Sequence, residues 1–472
     1  MGTGRPRDTT GGSISSRGLA RADYLPLRGA HLAAVGAALQ DHMGRLDWSR
    51  EQIEDHQTHR LRSLLAYARE RSPFHARRLR GLDPAAATVA DLAALDPMSK
   101  RDAQEQWDFI MTAPGLDRSG AEQILAQQRW FSYTPADQQV FSSGGSSGVR
   151  GIYVWDWSFY VTAACLAWRM QARAENRSRS AGPARLAVLA AGVPPHASTP
   201  LFDVPTTAAM QTVVIEAGAP FDEVRAAVAE ARPTHLVGYS SVVGRLARAT
   251  LAGDLAIRPV RVSTNSEPLF EDDRRAIGRA WDCALHNLWG STEIGVHAVS
   301  CSEGPGLHVC EDEVILERVD DRGAPVGPGE PAARTLVTGL ANRTFPFIRY
   351  DLGDQVALLP GDCACGSEFI RVADIEGRRD DDFRYGTTVV PPVAFRHVLG
   401  TDPTVSEYQV TQTPRGADIL VVGNPDPAGV TAALSGALAR YGVADPKIRV
   451  RIVARLPRHE SSGKLRRFVP LN

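Results

Sequence analysis

Residues 142–151 read SSGGSSGVRG, a stretch in which only Val149 and Arg150 carry side chains larger than a hydroxymethyl group. Runs of glycine and serine usually form flexible linkers. They also form phosphate-binding loops, because bare backbone lets N–H groups approach an anion while serine hydroxyls add donors. The flanks favour the second interpretation: WFSYTPADQQVF precedes the stretch and IYVWDWSFYVTAACLAWRM follows it, so the loop joins two segments expected to be buried.

The stretch matches neither of the common nucleotide-binding fingerprints. A P-loop ends in Gly-Lys-Ser/Thr, whereas this loop ends in Gly148-Val149-Arg150. The dinucleotide pattern needs three spaced glycines that open a helix, whereas aromatic residues follow here directly. The sequence therefore argues against a P-loop NTPase and against a Rossmann dehydrogenase.

Composition limits the class of protein. The chain has 472 residues, which predicts two or more domains, and its 53 Lys+Arg balance 54 Asp+Glu, which disfavours nucleic acid or an anionic membrane as partner. Its longest apolar stretches, such as LAVLAAGV at 186–193, are too short to span a bilayer. The N-terminal segment has arginines but no apolar run, so we predict a disordered leader over residues 1–20 rather than a secretory signal. Six cysteines in so long a chain predict a reducing, cytoplasmic environment.

The middle of the chain alternates strand-like and helix-like segments. A helical pattern runs from Asp47 to about Arg80, and strand-like segments at 185–192, 212–218 and 235–240 enclose a helix at 221–233. Such alternation is typical of a parallel α/β sheet.

Two changes of pattern follow towards the C-terminus. From Cys301 onward, short β segments with Gly/Pro turns predict an antiparallel or barrel-like subdomain at about 300–370. Beyond about Arg379 the signals are α+β. The predicted fold is therefore α/β, with layered sheets and a β-barrel-like subdomain in a large domain (21–379) and a small, mobile α+β domain (380–472).

Four further stretches follow the Gly/Ser loop in a fixed order. They read HNLWGSTEIG at 286–295, FIRYDLGD at 347–354, IEGRRDDD at 375–382 and RHESSGKLRR at 458–467. Together they resemble the motifs of the adenylate-forming superfamily, which comprises acyl- and aryl-CoA synthetases and nonribosomal adenylation domains. PTHLVGYSS at 233–241, NSEPL at 265–269, GLHVCEDEVILE at 306–317 and CACG at 363–366 are similar to segments of its phenylacetate–CoA ligase-like branch. The resemblance covers about residues 50–470.

The resemblance implies attack of a carboxylate on the α-phosphate of ATP, which gives an acyl-adenylate and pyrophosphate. It places the β- and γ-phosphates in the Gly/Ser loop, against Ser142, Ser143, Gly144, Gly145, Ser146, Ser147 and Gly148. The other ATP-binding residues that it implies are Glu267, Trp289, Gly290, Ser291, Asp354 and Arg378. Among these, Trp289 is expected against the adenine, Asp354 against the ribose hydroxyls and Arg378 against ribose or phosphate.

Catalysis in such a reaction is mainly positioning and stabilisation of charge. The resemblance implies that Thr292 donates to the α-phosphate, that Glu293 holds Mg²⁺ and that Lys464 is the adenylation lysine. It also implies that Asp380 is the hinge about which the small domain turns. Asp381 and Asp382 are expected to be solvated turn carboxylates.

The cysteines suggest a metal centre. Cys363, Cys365 and Cys301 with His308 make a closed set of three thiolates and one imidazole, which is typical of structural zinc, although Cys-x-Cys alone is also compatible with free thiols. The resemblance favours zinc at these four residues. Because His308 and Cys310 alternate onto the same strand face, Cys310 remains an alternative ligand.

The resemblance further implies an aromatic or aryl-alkanoic acid and coenzyme A as acceptor. Relatives carry Gly-Val-Asn-Val-Phe-Pro after the hinge, whereas this chain has GTTVVP at 386–391, so an amine or a carrier-protein arm stays open as acceptor. His196 is expected to be a loop or core residue, with the acyl pocket as the alternative. A homodimer is left open. A non-catalytic nucleotide-binding relative is the competing interpretation, and the retained Glu293 and Lys464 argue against it.

Overall fold

The structure is a computed structural model and describes residues 21–128, 132–143, 151–178, 184–191, 196–202, 210–301, 303–327, 330, 332–375, 377–402, 404–459 and 463–471. The leader predicted over residues 1–20 lies outside these ranges. Within them, no helix combines the length and the apolar character that crossing a bilayer requires.

Helices and strands alternate through most of the described chain. The helices are α1 (Arg21–Gly44), α2 (Arg50–Arg71), α3 (Pro73–Arg78), α4 (Lys100–Glu105), α5 (Trp107–Ile110), α6 (Arg118–Gln127), α7 (Trp157–Ser178), α8 (Ser198–Phe202), α9 (Phe221–Ala231), α10 (Ser240–Ala252), α11 (Glu271–Ala280), α12 (Val393–Leu399) and α13 (Pro427–Arg440).

The strands are β1 (Gln139–Ser143), β2 (Gly151–Trp155), β3 (Arg185–Ala190), β4 (Gln211–Glu216), β5 (His235–Tyr239), β6 (Arg261–Asn265), β7 (Ala284–Ser291), β8 (Gly295–Val299), β9 (Leu307–Val309), β10 (Val314–Val319), β11 (Arg334–Gly339), β12 (Tyr350–Asp351), β13 (Leu358–Leu359), β14 (Arg371–Val372), β15 (Phe383–Tyr385), β16 (Thr388–Val390), β17 (Val405–Thr413), β18 (Gly416–Gly423), β19 (Lys447–Ile452) and β20 (Phe468–Val469).

A nine-stranded sheet in the order β13-β14-β9-β8-β7-β6-β5-β3-β4 organises the large domain. The five strands from β4 to β7 run parallel, and from β7 to β13 every neighbour is antiparallel. Strands β3 and β5 are buried along almost their whole length, because helices cover both faces of the parallel part. The predicted alternation of strands and helices between residues 185 and 240 therefore corresponds to a parallel sheet.

The β-rich region predicted after residue 300 has two parts in the structure. Strands β8, β9, β14 and β13 extend the large sheet, and β10, β11 and β12 form a separate three-stranded antiparallel sheet. These short strands pack into the same hydrophobic core as α1 and α7, through residues such as Val309, Val314 and Val337.

The N-terminal helices differ in part from the sequence pattern. The single helix expected from Asp47 to about Arg80 is two helices, because Ser72 ends α2 and caps α3, and Pro73 has no N–H with which to continue the first helix. Helix α2 begins at a capping box formed by Ser49 and Gln52. Helix α1, which was not predicted, contains Pro26.

An acidic turn (Cys310–Glu313) is fastened to these helices by arginines. Arg169 of α7 donates to both carboxylate oxygens of Asp312, at 2.7 and 2.9 Å. Arg45 and Arg60 contact Glu313 at 3.1 and 2.7 Å. Because Asp312 and Glu313 are buried, these pairs stabilise charges that burial alone would destabilise.

The small domain has its own core and its own sheet. Strands β19-β18-β17-β20 form a four-stranded sheet, in which the central pair is antiparallel and each outer strand runs parallel to its neighbour. Its apolar face packs on α12 and α13, through residues such as Phe395, Ile419 and Leu434. Phe270 at the start of α11 joins this core and so links the two domains.

Candidate active site

A cavity of about 460 Å³ lies between the two domains. The large domain contributes residues that follow the carboxyl ends of β5, β6 and β7, where ligands bind in open α/β sheets. The small domain contributes the segment around Lys464. Charged lining residues are Lys100, Glu267, Asp273, Glu293, Arg378, Asp381, Lys464, Arg466 and Arg467. Apolar lining residues include Trp155, Ala197, Leu201, Phe202, Pro268, Phe270, Leu288 and Leu465.

Two paired strands flank the segment predicted as the Gly/Ser loop. Strands β1 and β2 pair antiparallel, with Ser142 opposite Ile152 and Ser143 opposite Gly151. Ser142 is buried, and Ser143 lines the cavity. The remaining predicted phosphate-binding residues Gly144, Gly145, Ser146, Ser147 and Gly148 lie outside the described residues.

Lys100 is a cavity residue that sequence reasoning missed. Its ammonium donates to the Ser143 hydroxyl at 3.2 Å. It is the first residue of α4, whose start is fixed by a capping box between Ser99 and Asp102. That Ser-x-x-Asp signature marks a helix start in the sequence, but it does not indicate where the helix lies in the fold. The Lys100 ammonium therefore lies at the start of the segment that was predicted to bind phosphates.

Thr292 and Glu293 stand in the turn between β7 and β8 and line the cavity together with Gly290 and Ser291. The Thr292 carbonyl accepts a hydrogen bond from the Trp155 indole at 2.8 Å. Glu293 Oε1 accepts hydrogen bonds from the hydroxyls of Tyr153 at 2.7 Å and Tyr350 at 3.1 Å.

Burial, together with the neighbouring Glu293 carboxylate, raises the pKa of both tyrosines well above the usual range. The hydroxyls are therefore permanent donors. The two tyrosines fix the orientation of the Glu293 carboxylate.

Asp354 is held from two sides. Its Oδ2 accepts from the Trp289 indole at 2.7 Å, and its Oδ1 accepts from Arg378 Nε at 2.9 Å. The Asp354 carboxylate raises the pKa of Arg378, which is a cation at any physiological pH. Arg378 lines the cavity, whereas Trp289 and Asp354 are not among its described lining residues. Trp289 is buried in the hydrophobic core, and its ring centroid lies 4.8 Å from that of His297.

Lys464 reaches the cavity from the small domain. Its ammonium lies 5.5 Å from the centroid of the Tyr239 ring. Burial lowers its pKa, while the nearby carboxylates of Glu267 and Glu293 act in the opposite direction. The lysine expected to act in adenylation therefore shares one cavity with Thr292 and Glu293 of the large domain.

Glu267 joins the backbones of the two domains at this point. Its carboxylate accepts from the Ser241 N–H at 3.0 Å and from the Leu465 N–H at 2.7 Å. Gly463 packs against Gly218 so closely that a Cβ on Gly463 would lie 2.6 Å from the Gly218 Cα. Gly463 also has φ +68°, which favours glycine.

A cluster of charges completes the contact between the domains. Arg467 of the small domain donates to Asp273 at 2.6 Å and to Asp272 at 3.2 Å. Arg248 of the large domain also contacts Asp273, at 2.8 Å. Arg458 bridges Glu407 of its own domain, at 2.7 Å, and the Ser241 hydroxyl, at 2.9 Å.

The predicted hinge lies in a 3-10 turn (Arg379–Asp381), and the side chain of Asp380 is outside the described part of the structure. Asp381 lies in this turn as expected, but it is partly buried rather than solvated: its carboxylate accepts from the Arg378 N–H at 3.2 Å, it lines the cavity, and burial raises its pKa. His196 also lines the cavity.

The hairpin of β15 and β16 lies elsewhere, with Phe383 and Val390 in the core of the small domain. None of the described cavity-lining residues belongs to it.

The four predicted metal ligands come together at the edge of the large sheet. The ligand atoms of Cys301, His308, Cys363 and Cys365 lie within 4.8 Å of one another, and all four residues are buried. Cys301 Sγ is 3.4 Å from Cys363 Sγ, and Cys365 Sγ is 3.5 Å from His308 Nε2. His308 Nδ1 lies 3.2 Å from the Phe369 carbonyl, which can only accept, so Nδ1 carries the proton and the Nε2 lone pair faces the Cys365 thiol.

Cys310 is not part of this group. Strand β9 ends at Val309, and the chain then enters the acidic turn, so the alternation that would have placed Cys310 beside His308 does not continue. The Cys310 thiol instead lies beside Arg169, and burial raises its pKa to about 12. The structure therefore selects His308 between the two alternatives.

Comparisons with known proteins agree with the predicted resemblance. The chain is 31% identical over 150 residues to a phenylacetate–coenzyme A ligase of Thermus thermophilus, which is 31% of this chain and 34% of that protein. It is 30% identical over 173 residues to the corresponding ligase of Escherichia coli, and 28% identical over 155 residues to protein CapK of Staphylococcus aureus. These matches span about a third of the length of each curated relative. No protein-family model matches the chain.

Solved structures establish the fold. A 2-hydroxyisobutyryl-CoA ligase in the postadenylation state superposes with a TM-score of 0.69 at 15% identity, over 90% of both chains. The same ligase in the thioesterification state gives a TM-score of 0.56 at 17% identity. The resemblance and the fold class are therefore confirmed: the chain is similar in sequence to phenylacetate–CoA ligases and has the fold of adenylate-forming CoA ligases, with a large N-terminal and a small C-terminal domain.

Proposed function

We propose that the protein activates a carboxylic acid with ATP as an acyl-adenylate and then transfers the acyl group to the thiol of coenzyme A. One observation carries the proposal: Lys464 of the small domain enters the cavity that holds Thr292 and Glu293 of the large domain. Cations at Lys100, Arg378 and Lys464 surround the space where a triphosphate would develop charge.

The first step is attack of the acid's carboxylate oxygen on the α-phosphorus, with pyrophosphate as the leaving group. Lys464 would stabilise the negative charge on the carboxylate and α-phosphoryl oxygens, and Thr292 would donate to the same phosphoryl group. The carboxylate of Glu293 is a hard oxygen donor whose orientation two tyrosine hydroxyls fix, so it fits Mg²⁺. When bound, Mg²⁺ would neutralise phosphate charge.

Two other assignments belong to this proposal. The three thiols and one imidazole at the sheet edge fit the donor set of structural zinc, which would cross-link the two chain segments. Asp354 would accept hydrogen bonds from the ribose hydroxyls, since Trp289 and Arg378 each occupy only one site on its two oxygens.

We propose an aromatic or aryl-alkanoic acid. The apolar part of the cavity has Trp155 and Phe202 among its walls, and such planar faces suit an aryl group. The second step would require the small domain to turn about Asp380, which removes Lys464 from the cavity and brings the β15–β16 hairpin towards the acceptor.

The test measures the two half-reactions separately. ATP–pyrophosphate exchange is measured with a panel of aryl-alkanoic, aromatic and aliphatic acids, and coenzyme A, simple amines or a carrier protein are then added with the best acid. Lys464→Ala should slow exchange by about two to four powers of ten, because several kcal/mol of charge stabilisation are lost. Consumption of a supplied acyl-adenylate by the acceptor should change little.

Absence of exchange with every acid would refute the proposed activity. Equal losses of Lys464→Ala in both half-reactions, or a loss in neither, would refute the role of the lysine. Transfer to an amine or a carrier protein without any transfer to coenzyme A would correct the acceptor.

A further inference from the structure

A second, small cavity lies against the large one. It measures about 10 Å³, and Phe202 and Leu288 line both cavities. Several of its other lining residues are polar although they lie deep in the large domain: Gln171, Ser263, Thr264, His286 and Asn287. We refer to this space as the polar chamber.

Strand β7 contributes lining residues to both the polar chamber and the active-site cavity. Side chains two apart on a strand point to the same face, so His286 and Leu288 form one row, and a register shift between Trp289 and Gly290 interrupts the alternation beyond them. His286 lines the chamber, Leu288 lines both cavities and Gly290 lines the active site. Because Phe202 and Leu288 line both spaces, the chamber lies directly beside the apolar part of the active-site cavity.

Three polar side chains meet on this face of the sheet. Ser263 of β6 pairs with His286 of β7 in parallel register, so their side chains are neighbours. Gln171 of α7, which covers this face, accepts a hydrogen bond from the Ser263 hydroxyl at 3.3 Å through its Oε1. The amide nitrogen of Gln171 and the ring of His286 are thereby held beside the same small space.

His286 presents an acceptor. Its Nδ1 lies 3.1 Å from the Ser300 carbonyl, which can only accept, so Nδ1 carries the proton. Burial lowers the pKa of His286 to about 4, so the ring is neutral and Nε2 is a bare acceptor. Within the part of the chain that the structure describes, His286 Nε2 has no hydrogen-bond partner.

Gln171 presents a donor. Its Nε2 is also buried without a partner among the described residues. A buried donor or acceptor that stays unpaired costs about 1–3 kcal/mol. A single group that both donates and accepts would therefore satisfy the His286 acceptor and the Gln171 donor. The space between them is about the size of one water molecule.

Resting on the proposed function, we infer that the polar chamber is a specificity site that binds a hydroxyl group at the distal end of the acid, through His286 Nε2 and Gln171 Nε2. A hydroxyl donates to His286 and accepts from Gln171, whereas an ammonium group cannot accept and a carboxylate cannot donate. Without such a substrate, one water molecule would take this place. The apolar walls between the chamber and the reaction centre hold the body of the acid.

The experiment compares pairs of acids that differ only in the hydroxyl. ATP–pyrophosphate exchange is measured with phenylacetate, 3-phenylpropanoate and cinnamate, each with and without a para-hydroxyl group. Wild-type protein should prefer the hydroxylated member of at least one pair by about tenfold or more in kcat/KM, because the ring of an acid without the hydroxyl would exclude the water molecule and leave both buried groups unpaired.

His286→Phe and Gln171→Met should each reduce that preference to less than about threefold, since each removes, at similar volume, the nitrogen that would contact the hydroxyl. The matched control is His42→Phe, because His42 is also buried, has a ring nitrogen without a partner among the described residues, and lines neither cavity. It should keep the preference of the wild type. If the melting temperature of His286→Phe is far below that of the wild type, the substrate preference of Gln171→Met decides the test.

Exchange with equal kcat/KM for both members of every pair would overturn this inference and leave the proposed function standing. So would a preference that survives both chamber variants. Absence of exchange with every acid would instead refute the proposed function, and with it this inference.

Discussion

Arg467→Met should uncouple the two half-reactions. Arg467 is the cation of the small domain that enters the acidic pair Asp272 and Asp273 of the large domain, with distances of 3.2 and 2.6 Å. Its side chain is 5% exposed and that of Asp273 1% exposed, so the contact is largely shielded from water. The ion pair forms in the same arrangement of the domains that places Lys464 in the active-site cavity, so we expect it to stabilise the arrangement needed for adenylation.

The structure sets the size of the effect. A hydrogen bond between charged groups contributes about 1.5–3 kcal/mol net. Arg467 makes two such contacts, but Arg248 stays bound to Asp273 at 2.8 Å after the change, and water solvates Arg467 when the domains separate. We therefore expect a loss of about 2 kcal/mol in the closed arrangement, which corresponds to about thirtyfold.

The assay measures both half-reactions of the same folded variant. ATP–pyrophosphate exchange should fall about thirtyfold, while consumption of a supplied acyl-adenylate by the acceptor should stay the same or rise. Arg248→Met is the matched control, because Arg248 contacts the same carboxylates from within the large domain. An equal loss in both half-reactions, or the same selective loss in Arg248→Met, would refute the reasoning.

Three further predictions concern separate parts of the site. Asp354→Ala should raise the KM for ATP strongly, because both ribose hydroxyls lose their acceptor and ATP binding loses about 2–4 kcal/mol. An unchanged KM in a folded variant would contradict the assignment. Metal analysis should find one zinc per chain, and replacing Cys363 and Cys365 by serine should lower the metal content and the melting temperature together. Well under one zinc per chain in protein purified without chelator would refute the zinc site. Because burial lowers the pKa of Lys464 below its usual 10.5 and only the ammonium stabilises the phosphate charge, kcat/KM for ATP should be highest at lower pH and decline as pH rises through that pKa. Lys464→Arg should lack this decline.

The parallel sheet was predictable because its strands carry a strong local signal. Residues 185–192, 212–218 and 235–240 were expected as strands, and the structure has Arg185–Ala190, Gln211–Glu216 and His235–Tyr239. Buried parallel strands are continuously apolar and lie between polar helices, so they can be recognised from the sequence without knowledge of the tertiary structure. The same local reasoning failed at Pro73, where one continuous pattern hides a break between two helices.

The site was predictable only where a motif marks it. Lys100 has no motif of its own, and its place beside Ser143 depends on how α4 packs against the β1–β2 hairpin. Asp381 was misjudged because a run of carboxylates is usually solvated, whereas here the carboxylate folds back onto the Arg378 N–H beside the cavity. Cys310 and His308 could not be distinguished by spacing, because only the turn after Val309 separates their side chains.

The acidic turn at Cys310–Glu313 has a consequence for the order of folding. Its partners Arg45 and Arg169 lie 268 and 143 residues earlier in the chain. Contacts between such distant segments require large loops to close before they contribute any free energy. Until α1 and α7 are docked, Asp312 and Glu313 cannot leave water without a large penalty. We therefore expect the β strands on either side of the turn to enter the core only after the N-terminal helices are in place.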